Sequence, residues 1–342
     1  MKSWPGKPGE VIAVQIRHVL LGLVVSVGTN VSPLRADIEP SIPSGSIVVY
    51  DGLLVGLDSI GSITVWDLKS GTFDKDATKK FAKKDLSRLA VDKDKLWAVN
   101  RFALYRWSAK LSAWETIAEL DNLVCFGFEI VDGKPFLVSS GKVVDLIGKQ
   151  TFNMPDKKLF MPGTRITATH GTESMLWIGM GCGEWGGQLL GLDPKTSKWV
   201  QKGGDNVSGI THATDNEVLV SWYMSHFTTR CQIKVHHPDG TVKNVYDSLN
   251  NNMYQQIAYN SHDKKLYAVN ATDVICFEDG KPIKLESLDG LMFEREPKAM
   301  GVASGIQSLI PFGPKQMIIV PTSGEPWILQ NEKVIRLKKA GK

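Results

Sequence analysis

Short apolar runs recur along the chain at nearly even intervals: Leu53-Leu54-Val55-Gly56, Leu96-Trp97-Ala98-Val99, Phe136-Leu137-Val138-Ser139, Leu176-Trp177-Ile178-Gly179, Val218-Leu219-Val220-Ser221, Leu266-Tyr267-Ala268-Val269 and Met317-Ile318-Ile319-Val320. Their starting positions lie 40 to 51 residues apart. About eight residues before an anchor comes another apolar segment, as in Ile47-Val48-Val49, Ile166-Thr167-Ala168, Ile210-Thr211-His212 and Ile257-Ala258-Tyr259. About ten residues after it comes an alternating stretch such as Ile63-Thr64-Val65-Trp66-Asp67 or Val274-Ile275-Cys276-Phe277. Turn residues follow, at Lys69-Ser70-Gly71, Pro194-Lys195-Thr196, Pro238-Asp239-Gly240 and Asp279-Gly280-Lys281. A more polar segment such as Ser197-Lys198-Trp199-Val200 ends the unit.

Period-two alternation in short segments bounded by turns predicts strands, and no helical stripe competes. Four strands per unit at a period of about 40 to 50 residues predict radially stacked sheets. The expected fold is therefore all-β: a seven-bladed β-propeller of four-stranded antiparallel blades over residues 46–338. Ser46 to Tyr50 supplies a first strand for blade one, and Lys333 to Leu337 a fourth strand for blade seven. Closure is expected from packing between whole blades, without a shared sheet.

The fourth unit carries a resemblance. Met175-Leu176-Trp177-Ile178-Gly179, a Gly-rich turn and Leu189-Leu190-Gly191-Leu192-Asp193-Pro194-Lys195-Thr196 resemble the repeat of extracellular two-component-regulator propellers and of quinoprotein-like propellers. Asp67-Leu68-Lys69-Ser70-Gly71 is similar. What the resemblance implies is the fold: the matching residues build blades, and no quinoprotein cofactor ligand can be matched, so the cofactor is unknown.

Composition narrows the function classes. The net charge of +4 arises from 40 basic and 36 acidic residues spread along 342 positions, which is no footprint for nucleic acid. Lys79, Lys80, Lys83 and Lys84 read as an exposed loop. Lys2, Lys7 and Arg17 precede an apolar run from Val19 to Val27, the pattern of a signal peptide. The expected organisation is a signal peptide over 1–36, a leader over 37–45, the propeller, and a tail over 339–342, in a secreted or periplasmic monomer. The apolar run is too short for a membrane span. The four cysteines have no zinc spacing. Cys182 and Cys231 are a candidate disulfide, since alignment places them on neighbouring blades; Cys125 and Cys276 read as buried apolar residues.

Candidate chemistry gathers in blades four and five. Met180 to Gly187 and Trp222 to Thr229 read as unusually long loops between second and third strands. They offer Glu184, Trp185, Trp222, Tyr223 and His226, with Arg230 just beyond. Aromatic platforms with a few polar groups predict a site for a partner protein or a glycan. Glu184 and His226 are a candidate acid–base pair for the alternative of a carbohydrate lyase or hydrolase. A scaffold in an envelope assembly is a third reading, so whether the chain is an enzyme stays open. His170, His212 and His262 fall in or after first strands near the channel, but their register differs from blade to blade, so no metal is expected. His236 and His237 alternate faces and are not expected to form a site. Asn206-Val207-Ser208 and Asn270-Ala271-Thr272 match the glycosylation sequon, a triplet that often arises by chance.

Overall fold

The computed structural model describes residues 47–58, 60–155, 164–214, 216–226, 228–249, 254–270, 272–288, 306–321 and 325–337. The expected signal peptide, leader and tail lie outside the described residues. Seven four-stranded antiparallel sheets follow one another in chain order, each a simple meander. The chain forms a seven-bladed β-propeller.

The anchor runs are the second strands. In blade four, Leu176–Gly181 pairs with Arg165–Gly171 on one side and Gly187–Asp193 on the other. Strands buried on both faces read as continuous apolar runs, and the packing shows why this one is. Leu176, Ile178 and Met180 point into a cluster shared with Phe136, Val138 and Val143 of blade three. Trp177 points the opposite way, into a cluster with Val207, Val218 and Val220 of blade five. Among the described residues seven such buried clusters occur, one at each boundary between blades.

The seventh cluster closes the ring. Ile47, Leu54 and Trp66 of blade one meet Ile318, Val320 and Ile328 of blade seven, with Leu337 between them. Each terminal blade supplies all four of its own strands, Ile47–Tyr50 being the first and Lys333–Arg336 the last. Closure is thus by apolar faces and not by a sheet built from both ends.

Asx turns fix several of the tight connections, as their residue types require. Asp58 Oδ1 accepts from Ile60 N and Ser62 N; Asn100 Oδ1 accepts from Phe102 N and Ala103 N. Asp193 and Asn270 make the same motif in blades four and six. One expectation is corrected in the linker from blade one to blade two. Lys79 and Lys80 belong to a helix, Lys75–Lys80, whose cap Asp74 accepts from Asp76 N and Ala77 N. Asp76 in the first turn and the two lysines in the last complement the helix dipole. Among the described residues no helix is long and apolar enough to cross a membrane.

Candidate functional site

In a four-stranded meander, the second-to-third loops and the blade linkers emerge on one face, here called the loop face. The candidate segments of blades four and five both lie there, but they differ from the two long loops expected. In blade five the strands Val218–His226 and Thr228–His236 pair to their ends, so the segment is an extended hairpin. The alternation through Trp222, Met224 and His226 simply continues the strand. In blade four, strand pairing extends to Gly181 and Gly187, leaving a short turn with a 3-10 segment, Gly183–Trp185.

That turn is held from the next blade. Asn206 Oδ1 accepts from Cys182 N at 2.8 Å, and Asn206 Nδ2 donates to the Gly183 carbonyl at 2.6 Å. Cys182 N also donates to the Gly186 carbonyl at 2.8 Å. Gly183 and Gly186 take φ of +61° and +80°, a region that favours glycine. Asn206 is therefore buried and fully engaged, and Asn270 is likewise buried in its Asx turn; neither sequon presents an open acceptor.

The two predicted indoles, Trp185 and Trp222, are not brought together. Trp185 is 78% exposed, the most exposed large apolar side chain among the described residues. Trp222 is 3% exposed and packs between blades four and five, with its Nε1 donating to His236 Nε2 at 3.3 Å. Strand parity causes this: Trp222 falls on the face of the sheet that meets blade four. Arg230 forms a two-pronged pair with Asp247, at 3.0 and 2.6 Å, and the bond to Arg230 holds the Asp247 carboxyl below its usual range. Tyr223 lies on the opposite face from Trp222, and burial raises its pKa. The backbones of Glu184 and His226 sit in the 3-10 turn and at the hairpin end; their side chains lie outside the described residues.

The candidate Cys182–Cys231 bridge is absent, and all four cysteines are free thiols. Cys231 packs with Tyr254 and Ile257 of blade six, whereas Cys182 sits in the turn facing Asn206, so the blade-five sheet separates them. A disulfide needs side chains directed at each other. Burial pushes the Cys231 and Cys125 thiols up to about 11. Cys276 is buried, and Cys125 is partly buried.

The other histidines divide. His237 pairs with Glu217 at 2.8 Å, and His262 sits in a turn of blade six. His170 and His212 meet in the central channel. Their registers do differ, His170 pairing with Trp177 and His212 with Val218. Even so their rings stack across the blade boundary, with centroids 5.9 Å apart and planes at 12°. Tyr259 of blade six stands edge-on to His212 at 5.9 Å. Burial lowers the His170 pKa to about 4, with His212 adding to the effect.

The channel is a cavity of about 800 Å³ lined by the first strands of all seven blades. Beside the histidines it holds a residue the sequence reading passed over. Glu129 Oε1 accepts from Thr169 Oγ1 at 2.6 Å, and Oε2 accepts from Gly171 N at 3.1 Å. Burial raises the Glu129 pKa against those two bonds. The one available signal was an acid inside an apolar first strand, Phe128-Glu129-Ile130-Val131. Among the described residues no group of three or more His, Cys, Asp or Glu side chains is arranged to hold a metal.

No protein-family model and no curated protein matches the chain. Many solved structures match it in shape. A computationally designed protein, Ika8, aligns with a TM-score of 0.55 at 11% identity, over 86% of this chain and 86% of its own. The β-propeller domain of Cps50 (Swd1) from Myceliophteria thermophila gives 0.55 at 12%, over 82% and 96%. The extracellular domain of BT4673 from B. thetaiotaomicron gives 0.55 at 10%, over 85% of this chain and 38% of that one. At such identities the likeness is one of fold, and the fold it supports is the seven-bladed propeller read from the repeat.

Proposed function

We propose that the chain is an exported recognition module that docks a partner protein on its loop face, centred on the turn of blade four and the hairpin of blade five. The observation that carries this reading is Trp185, 78% exposed on a turn pinned by Asn206. A large ring left in water on a fixed backbone loses little entropy on binding, which is how interface anchors act. Ile60, Phe102, Val124, Phe126 and Leu249 are also exposed and belong to second-to-third loops, linkers or strand ends on the same face. Apolar groups spread over several blades suit a protein surface better than a single sugar ring. The burial of Trp222 removes the second stacking platform that favoured a glycan. Export rests on the basic residues and apolar run between Lys2 and Val27.

Photo-crosslinking in the source cell tests the proposal. A crosslinker at position 185 should give a discrete adduct that one at Leu111, exposed in a third-to-fourth turn of the opposite face, does not. Once the partner is in hand, Trp185→Ala should weaken binding by about 1 to 3 kcal/mol. Equal labelling from both faces would overturn the reading, and a specific hit on a glycan array abolished by Trp185→Ala would replace the protein partner with a sugar.

A further inference from the structure

The channel walls are unequal. Blades three to six contribute Glu129, Thr169, His170, Thr211, His212 and Tyr259. Blades seven, one and two face them with a mainly aliphatic arc, Leu309, Ile310, Val48, Leu89 and Val91, interrupted by Gln307, Ser308 and Arg88. A cavity of about 800 Å³ with an apolar wall and a few oriented polar groups matches the usual build of a small-molecule site.

Glu129 fixes the chemistry. Its hydrogen bonds from Thr169 and Gly171 orient the carboxylate and occupy one lone pair on each oxygen, so acceptor capacity is left over. Among the described residues no lysine, arginine or histidine forms an ion pair with it. The basic group also lining the channel, Arg88, is turned to the carbonyls of Ser87 and Phe126. A carboxylate held in the interior without a countercharge is costly and favours any ligand that brings one. One carboxylate is too few donors for a metal ion, and an aliphatic wall gives a metal nothing. A carbon skeleton would lie against that wall. Tyr259 also lines the polar side, and a tyrosine ring attracts a cation.

We infer that the central channel binds a small aliphatic amine, its ammonium group on Glu129 and its hydrocarbon body against the apolar arc of blades seven, one and two. This site is separate from the loop-face anchor Trp185, and the two readings stand or fall independently.

Calorimetric titration of the whole chain with n-butylamine, 1,4-diaminobutane, n-butanol and butyrate tests the inference. The expected result is saturable binding of at least one amine, with the alcohol and the acid binding at least tenfold more weakly. Glu129→Gln keeps the side chain's shape and should weaken the amine at least tenfold, while Trp185→Ala should leave it unchanged. Amine binding that survives Glu129→Gln, butyrate or butanol binding as well as the amines, or no saturable binding of either amine would each overturn it. Discrimination among the four probes by the unaltered protein decides the matter even if Glu129→Gln does not fold.

Discussion

Trp222 donates its indole N–H to His236 Nε2, so His236 must be neutral and carry its proton on Nδ1. Burial, with Lys234, Lys202 and His237 adding repulsion, lowers the His236 pKa to about 4. The unfolded imidazole titrates near its ordinary value, about 6.5. Between those two values the unfolded chain binds more protons than the folded one, so stability falls as the pH drops from about 6.5 towards 4. His170, also lowered to about 4, acts in the same direction. Melting temperature measured across that range should fall on acidification, and His236→Gln should flatten the fall. An unchanged slope in the variant would remove His236 from the cause.

Trp177→Ala should be among the most damaging single changes. The indole is 1% exposed and fills the boundary between blades four and five with Met175, Leu189 and Val220. Truncating a buried Trp costs about 3 to 5 kcal/mol, because lost burial and a residual cavity add. Denaturant unfolding checks this, with Leu111→Ala as an exposed control within about 0.5 kcal/mol of the parent.

Asn206→Ala should loosen the blade-four turn without unfolding the ring. It removes an acceptor from Cys182 N and a donor to the Gly183 carbonyl in a buried setting, at a cost of about 1 to 3 kcal/mol. Hydrogen exchange should quicken at the amides from Cys182 to Gly187 and stay unchanged in blade one. Global quickening would mean that Asn206 stabilises the whole fold and not the turn.

Gly127 lets the first strands of blades three and four approach closely. A Cβ there would sit 2.5 Å from Thr169 Cγ2 and 2.7 Å from its Oγ1. Gly127→Ala must therefore displace Thr169 and strain its bond to Glu129, and overpacking of this kind costs about 1 to 3 kcal/mol. Adding Thr169→Ser removes the clashing methyl and should restore part of the loss in thermal unfolding. No recovery would place the cost in the backbone instead.

The blades were legible because every second strand is buried on both faces, so runs such as Leu176-Trp177-Ile178 are apolar without interruption. The site was less so. Trp222 shows why: its exposure depends on whether strand pairing continues past Ser221, and no Gly or Pro marks where the blade-five hairpin turns. An aromatic residue reads alike in a loop and in a strand. The channel pair escaped for a different reason. His170 and His212 belong to hairpins with turns of different length, and their stacking arises across a blade boundary, which period-two patterning within one strand does not encode.

Some bonds near the channel reach from one blade to the backbone of the next. Glu129 accepts from Gly171 N, Thr211 Oγ1 from Tyr259 N, and Gln255 Oε1 from Ile306 N, tying blade three to blade four and blades five, six and seven to one another. They act like clasps between the inner edges of staves. A ligand pressing outward against a clasped stretch is opposed by two or three blades at once. The bore should thus admit guests by size while the outer strands and loop face remain free to adapt.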